Sequence, residues 1–114
     1  CDAILGAMAA SDIGEHFPDD DESLAGIDSA VLLERVLQLA DKKQYRLINV
    51  DVTVIAQVPK ISPYRQQLLS SLCSLLLLDS DRVNLKASTT EQLGYIGREE
   101  GMACHAVVLL HSYA

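Results

Sequence analysis

The chain has 114 residues, 49% of them apolar, and a formal net charge of −7. This length and composition are enough to build one hydrophobic core, so we expect a single domain over residues 1–114. The negative charge argues against sequence-independent binding to nucleic acid or to an acidic membrane surface, because both need a basic face. The longest apolar run is too short and too polar to span a bilayer, and no targeting segment is visible.

The first half of the chain predicts two helices and a long strand. Residues 2–10 have the pattern of a helix end, and because the chain opens there at Cys1 without an initiator Met, we expect residues upstream. An acid-rich loop follows to about Gly26. Asp28 or Ser29 can then cap a helix with apolar residues at helical spacing. The alternation of types from Tyr45 to Gln57 predicts a strand with one buried face.

The second half continues the alternation of helices and strands. The elements that we predict are a turn between Pro59 and Pro63, a helix over 64–78, a short strand from Arg82 to Lys86, a capped turn of helix from Thr89 to Tyr95, and a terminal strand from Met102 to His111. This order predicts an α+β fold in which helices cover one face of a β-sheet.

Four carboxylates in the acid-rich loop form the first candidate site. Asp12 and the run Asp19, Asp20 and Asp21 repel one another unless they are solvated or share a cation, and such groups bind divalent metals or paired sugar hydroxyls. Composition alone favours the simpler explanation of a solvated loop.

A second candidate lies where the predicted short strand gives way to a helical turn. The hydroxyls and free N–H groups of Ser88, Thr89 and Thr90 could bind a phosphate, and Glu91 could hold a cation against it. The alternative is an ordinary capping box, since Ser88 and Glu91 fit the S-x-x-E pattern, and on local chemistry alone it is the better explanation.

Other charged and nucleophilic residues carry weaker signals. Lys60 next to Pro59 could hold a phosphate, and Arg98 in a glycine-bounded turn could bind an anion or pair with Glu100, which we favour. The three histidines have no partner at a metal-ligand spacing. The three cysteines have no pairing or metal-type spacing either, which favours a reducing compartment.

Taken together, these segments resemble a known family. The motifs occur in the order and spacing of 2-C-methyl-D-erythritol 2,4-cyclodiphosphate synthases, and the resemblance covers nearly the whole chain. Its most specific part runs from Val83 to Gly101, where K-A-x-T-T-E-x-L-G is followed by G-R-x-E-G. The other matching segments are Asp2–Ala7, Ser11–Gly14, Phe17–Asp19, Asn49–Thr53 and Ala56–Lys60.

The resemblance implies a lyase of non-mevalonate isoprenoid biosynthesis, located in a bacterial cytoplasm or a plastid-like organelle. Such an enzyme cyclises 4-diphosphocytidyl-2-C-methyl-D-erythritol 2-phosphate and releases CMP. The family's pattern further implies a homotrimer built on a mixed β-sheet, with a zinc ion and a magnesium or manganese ion as cofactors. A non-catalytic trimeric module that binds a nucleotide or an isoprenoid diphosphate is the alternative.

The family's site residues carry over to matching positions of this chain. The resemblance makes Glu91 the magnesium or manganese ligand, with Thr89 and Asp2 as further catalytic residues, Asp2 near the zinc. It places Arg98 and Glu100 at a central cavity that could bind an isoprenoid diphosphate. The implied substrate- and nucleotide-binding residues are Asp12, Gly14, Phe17, Pro18, Asp19, Ala56, Pro59, Lys60, Ile61, Ser62, Ala87, Ser88 and Thr89.

The chain departs from the family's pattern at three points. The family's zinc ligands match positions upstream of Cys1, so the resemblance gives no zinc ligand within these 114 residues. Ser88 replaces a usual Thr but keeps the hydroxyl. His105 stands where a Glu is common, which weakens the expectation of a ligand in the central cavity. Tyr64 and Arg65 lie in a segment that varies, and the sequence predicts no role for them.

Overall fold

The computed structural model describes all residues from Cys1 to Ala114. It contains five helices and three strands, and three short 3₁₀ turns connect some of them. The helices are α1 (Asp2–Ala7), α2 (Ile13–His16), α3 (Ser29–Lys42), α4 (Arg65–Leu76) and α5 (Gly94–Gly97). The strands are β1 (Tyr45–Ile55), β2 (Val83–Ser88) and β3 (Ala103–Ser112).

The three strands form one mixed sheet in the order β2-β1-β3. Strands β1 and β2 are parallel, in a register that runs from Val50 opposite Val83 to Ile55 opposite Ser88. At the other side of β1, the amide of Tyr113 donates to the carbonyl of Gln44 at 2.9 Å, so the end of β3 lies beside the start of β1, as antiparallel strands require. The α+β fold with helices on a mixed sheet is therefore confirmed.

The chain divides into two compact units, the first made of Cys1–Ile48 and Val108–Ala114. In this unit α1 packs against α3, and Leu5 and Val36 are almost fully buried. The predicted cap of α3 is confirmed, because the Asp28 carboxylate accepts from the amide of Ala30 at 2.9 Å. The Tyr113 hydroxyl donates to the Asp41 carboxylate at 2.9 Å, and it ties the residue after β3 to the end of α3.

The second unit is Asn49–Val107, in which α4 packs against β2. Leu76 of α4 is buried, as are Val83 and Leu85 of β2. Leu77, the residue that caps the C-terminus of α4, has left-handed backbone angles (φ 57°, ψ 42°) and a side chain that is 85% exposed. No helix in either unit is long and apolar enough to cross a membrane.

Two predicted elements differ from the structure. The predicted turn of helix from Thr89 to Tyr95 is wrong in position, because α5 begins only at Gly94. Glu91 and Gln92 have positive φ angles of 53° and 68°, which a right-handed helix does not contain. The predicted long strand is present as β1. The prediction that only one of its faces is buried is correct only in part, because Asp51 and Thr53 are half-buried along with Val52.

Candidate functional site

The carboxyl ends of β1 and β2 bring two predicted nucleotide-binding segments together. Parallel neighbours end at the same edge of a sheet, so the chain after β1 meets the chain after β2. The amide of Ala56 donates to the carbonyl of Ser88 at 3.0 Å, and the amide of Gln92 donates to the side-chain oxygen of Gln57 at 3.2 Å. The structure therefore joins Ala56–Ser62 to Ala87–Thr89, which are far apart in sequence.

A cavity of ≈ 300 Å³ opens beside the end of β2, and we call it the edge cavity. Its lining residues are Ile61, Ser62, Arg65, Leu85, Lys86 and Ala87. Three of these, Ile61, Ser62 and Ala87, were predicted as nucleotide-binding residues. Strand β2 is at the edge of the sheet, and Ser88 directs its carbonyl toward β1. Because backbone groups alternate along a strand, Leu85 and Ala87 direct theirs to the free side.

Lys86, which lines this cavity, forms an ion pair with Asp51. Its Nζ lies 2.7 Å from an Asp51 carboxylate oxygen, and the side-chain amide of Asn84 donates to the other oxygen at 3.1 Å. The hydrogen bond from Lys86, with a smaller contribution from Asn84, lowers the pKa of Asp51 below its ordinary value. The charge of Lys86 is thus compensated within the protein.

Arg65 is one of three lining residues that sequence reasoning missed, together with Leu85 and Lys86. Its Nε donates to the carbonyl of Leu85 at 2.9 Å in a part-buried hydrogen bond. The contact joins the first residue of α4 to the free side of β2, twenty positions along the chain. Nothing in the local pattern around Pro63 and Tyr64 signals this contact, because it depends on where the helix is placed against the sheet.

The Ser88–Glu91 turn is not a capping box, and the preferred alternative from the sequence is wrong. The Ser88 hydroxyl donates to the carbonyl of Thr89 at 3.2 Å, and the amide of Glu91 donates to the Thr89 hydroxyl at 3.2 Å. No helix starts here, and the Glu91 side chain neither caps a backbone amide nor pairs with a cation. Thr89, Ser88 and Glu91 are all exposed, so the turn presents two hydroxyls and a carboxylate to solvent.

Pro59 and Lys60 lie between β1 and α4, in the segment that leads to the edge cavity. Both are exposed, and the Lys60 ammonium forms no ion pair within the chain. The lysine remains available to an anionic group from outside the protein.

In the first unit, Asp2 and Asp12 meet at the start of α2. The Asp2 carboxylate accepts from the amide of Ile13 at 2.8 Å, and the Asp12 carboxylate accepts from the amide of Glu15 at 2.9 Å. Asp12 is thus the N-cap of this short helix. A Cβ on Gly14 would lie 3.5 Å from an Asp12 oxygen, an ordinary contact distance. Each carboxylate has one oxygen that the fold uses and a second for which no bond is found.

The loop after α2 forms a second cavity of ≈ 160 Å³, lined in part by Phe17, Pro18 and Asp19. Asp21 also lines it and accepts from the amide and the hydroxyl of Ser23, at 3.0 and 2.7 Å. These hydrogen bonds lower the pKa of Asp21. The acid-rich loop is therefore partly structural, since Asp12 and Asp21 cap turns of helix while Asp19 and Asp20 are exposed.

The donor sets differ in how well they fit the implied cofactors. No three His, Cys, Asp or Glu side chains of the chain come together in a group that could hold a metal ion. Zinc needs three or four such ligands, so these residues alone do not fit it. Magnesium is held by one or two carboxylates together with substrate phosphates, and the exposed, unpaired Glu91 fits that pattern.

Arg98 and Glu100 pair with each other, as predicted. Arg98 Nε and Nη2 donate to the two carboxylate oxygens of Glu100 at 2.9 and 3.3 Å. Both side chains are more than half exposed. Their place at a central cavity remains a prediction.

Comparison with known proteins gives consistent matches along the chain. A model of the YgbB family matches residues 1–111. The 2-C-methyl-D-erythritol 2,4-cyclodiphosphate synthase of Idiomarina loihiensis is 53% identical over 112 residues, which are 98% of this chain and 70% of that protein.

Two solved structures have the same fold. The bifunctional IspDF from Campylobacter jejuni matches with a TM-score of 0.93 and 43% identity over 98% of this chain. IspF from Plasmodium falciparum, solved as a CDP complex, matches with a TM-score of 0.81 and 39% identity over 94% of it. The present chain spans 30% and 64% of those two chains, respectively.

Proposed function

The chain belongs to the YgbB family, and from this membership we propose that it is part of a 2-C-methyl-D-erythritol 2,4-cyclodiphosphate synthase. The observation that carries the proposal is identity of about half the residues with a synthase along nearly the whole chain. Its substrate is 4-diphosphocytidyl-2-C-methyl-D-erythritol 2-phosphate, and its products are the cyclic diphosphate and CMP. The enzyme acts in isoprenoid biosynthesis by the non-mevalonate route.

The edge cavity is the proposed cytidine site. Support comes from its lining by Ile61, Ser62 and Ala87 and from the joining of Ala56 to Ser88. A related structure is a CDP complex, which agrees with a site for a cytidine nucleotide. In the first unit, the free oxygen of Asp12 is proposed to accept from the ribose hydroxyls, while Gly14 leaves room for the sugar.

The reaction is a displacement at phosphorus. An oxygen of the 2-phosphate forms a bond to the β-phosphorus, and the bond between that phosphorus and the bridging oxygen breaks, so that CMP leaves with the electron pair. Because the attacking phosphate is already ionised, no general base is needed, and the protein contributes positioning and charge neutralisation. Phe17, Pro18 and Asp19 are proposed to cover the methylerythritol phosphate, and Lys60 to hold a phosphate of the diphosphate.

The exposed turn after β2 is the proposed catalytic turn. The Thr89 hydroxyl accepts from the Glu91 amide and keeps its own proton, which is proposed to be donated to a phosphate oxygen. The Ser88 hydroxyl would do the same after leaving the Thr89 carbonyl, and Glu91 would hold a magnesium or manganese ion. Such an ion, when bound, neutralises charge that builds up on the phosphate oxygens. Asp2 is proposed to lie near the family's zinc, for which the residues of this chain do not form a site.

Strand β3 supports the proposal that the protein is a homotrimer. It is a ten-residue edge strand, and its side chains include Val107 and Leu109, which are 71% and 54% exposed. A long, apolar edge strand that is exposed tends to pair with another strand or to be covered by another protein surface. Cys73 and Cys104 of the protein are free thiols and its relatives are bacterial, and both observations further support a reducing cytoplasm.

The test is a turnover assay on the full-length protein. The substrate is incubated with magnesium and zinc, and ³¹P NMR follows the cyclic diphosphate while chromatography follows CMP. We expect both products in equal amounts. CDP binding without any product would favour the alternative, a non-catalytic nucleotide-binding module. The lack of a complete metal-binding group among these residues agrees with that alternative.

The role of Glu91 has its own prediction. Glu91→Ala should reduce magnesium-dependent turnover at least about 100-fold, the loss typical for a group that stabilises charge only in the transition state, and should leave the oligomeric state unchanged. Glu99→Ala is the matched control, because Glu99 is also exposed and also has a positive φ, 64°. Equal turnover of Glu91→Ala and Glu99→Ala would remove the assigned role.

A further inference from the structure

The edge cavity has two basic side chains, and only one of them carries an uncompensated charge. Lys86 is neutralised by Asp51 at 2.7 Å. Arg65 takes part in neither of the two ion pairs of the chain, and its Nε partner, the carbonyl of Leu85, is neutral. The cavity therefore has a local positive charge in a chain whose net charge is −7.

The hydrogen bond to Leu85 also fixes the direction of this charge. A guanidinium is a rigid, planar fork with five N–H donors, so the bond from Nε at 2.9 Å restricts the orientation of the whole group. The four N–H donors on the two terminal nitrogens form no hydrogen bond within the chain. An arginine held in this way is prepared to receive an anion with little loss of side-chain freedom.

Helix stability does not explain an arginine at this position. Arg65 is the first residue of α4, and the first turn of α4 contains no acidic residue. A cation in the first turn of a helix lies at the positive end of the helix dipole, which is unfavourable. A neutral donor such as glutamine could bond the Leu85 carbonyl without this cost.

We propose that Arg65 is a further nucleotide-binding residue of the edge cavity, where its fixed guanidinium contributes positive charge to the binding of a nucleoside diphosphate. This inference rests on the proposed function, since it takes the edge cavity to be the cytidine site. It adds a residue that the family resemblance leaves without a role. The expected contribution is to binding of the charged nucleotide and not to the breaking of the P–O bond.

The experiment separates charge from hydrogen bonding at one position. CDP is titrated by calorimetry into the full-length wild type, Arg65→Gln, Arg65→Lys and Arg82→Gln. Glutamine keeps a donor for Leu85 but removes the charge, and lysine keeps both a donor and the charge. Arg82, an exposed residue of the same unit that does not line the cavity, controls for the loss of one positive charge from the protein.

We expect Arg65→Gln to weaken CDP binding about 5- to 10-fold, the effect of one unit charge about 4 Å from an anion at the dielectric constant of water, which applies because Arg65 is exposed. Arg65→Lys and Arg82→Gln should stay within about threefold of wild type on the same grounds. Wild-type affinity in Arg65→Gln would overturn the inference, and so would an equal loss in Arg82→Gln. A wild type that does not bind CDP would instead contradict the proposed function. Thermal unfolding of each variant confirms that it is folded.

Discussion

Gly97 shows how a single residue type is required by the backbone around it. A Cβ added at this position would overlap the carbonyl carbon of Gln92 and would lie 2.6 Å from its Cα. Both are backbone atoms, so no rotation of a side chain can relieve the overlap. The close approach follows from the unusual course of the chain at Glu91 and Gln92, where two successive residues have positive φ angles.

Gly97→Ala should therefore lower the free energy of unfolding by about 1–3 kcal/mol, the usual cost of forcing extra atoms into a packed place. Gly6→Ala is the control, because Gly6 is exposed in α1 and has no atom within 4 Å of its would-be Cβ. That change should raise stability by about 0.5–1 kcal/mol, the helix preference for alanine over glycine. Urea denaturation of both variants measures the two differences. Equal stability of the two alanine variants would contradict the contact.

Among the elements, β1 and β2 are joined by polar side chains as well as by their backbones. Asp51 faces Asn84 in the register of the two strands and also pairs with Lys86. The hydrogen bond from Lys86 is the largest cause of the lowered pKa of Asp51, and Asn84 is the next. A lowered pKa means that the folded state binds the proton less readily than the unfolded state.

The sign of the pH effect follows from this difference. The contribution of Asp51 to stability is fully present above the unfolded pKa of about 4 and is lost as the pH falls through the lower folded pKa. We expect Lys86→Met to raise the pKa of Asp51 toward its ordinary value and to make the fall in stability below about pH 4 shallower.

A ¹³C NMR titration of the Asp51 carboxyl carbon measures the pKa directly. Lys42→Met, on the exposed surface at the end of α3, removes the same charge elsewhere and should leave the Asp51 titration unchanged. An unchanged pKa of Asp51 in Lys86→Met would mean that the ion pair does not form in solution.

The elements were largely predictable from the sequence, and the turns between them were not. Helix α3 was predicted from the helical spacing of apolar residues such as Val36 and Ala40 and from the cap at Asp28, because helix periodicity and capping are local. The turn after β2 was misjudged, since Ser88 and Glu91 fit a local capping pattern while the chain adopts left-handed angles instead. The roles proposed for Thr89 and Glu91 come from the family resemblance and not from local chemistry, and they remain predictions.

The edge cavity illustrates the same limit for the site. Ile61, Ser62 and Ala87 were predicted as binding residues, and the structure places them around one cavity. Arg65 was not predicted, because its role depends on a bond to a carbonyl twenty positions away. Long-range placement of this kind depends on how a helix packs on a sheet, and no pattern within a short window records it.

At the scale of the whole molecule, the most informative feature is the exposed strand β3. It lies at an edge of the sheet, and apolar side chains make up most of its length. Val107 is 71% exposed, an unusual degree for a valine at the centre of a strand. This surface supports the proposal that subunits associate, while the number three comes from the family resemblance.

Val107→Glu should dissociate the proposed trimer, because a buried carboxylate without a partner costs several kcal/mol at each interface. Light scattering coupled to size-exclusion chromatography would then give the mass of one subunit in place of three. Val107→Thr is the control, since it keeps the branched shape and adds no charge, and it should remain trimeric. A glutamate variant that keeps the mass of the wild type would place the subunit contacts elsewhere.

An exposed strand of this kind also links stability to the amount of protein present. If β3 is covered only when subunits associate, the law of mass action makes the folded state more stable at higher concentration and less stable on dilution. The midpoint of thermal unfolding should then rise with each tenfold increase in protein concentration. During synthesis, a newly made subunit would depend on how soon it encounters others, because until then its apolar edge is free to pair with any strand it meets.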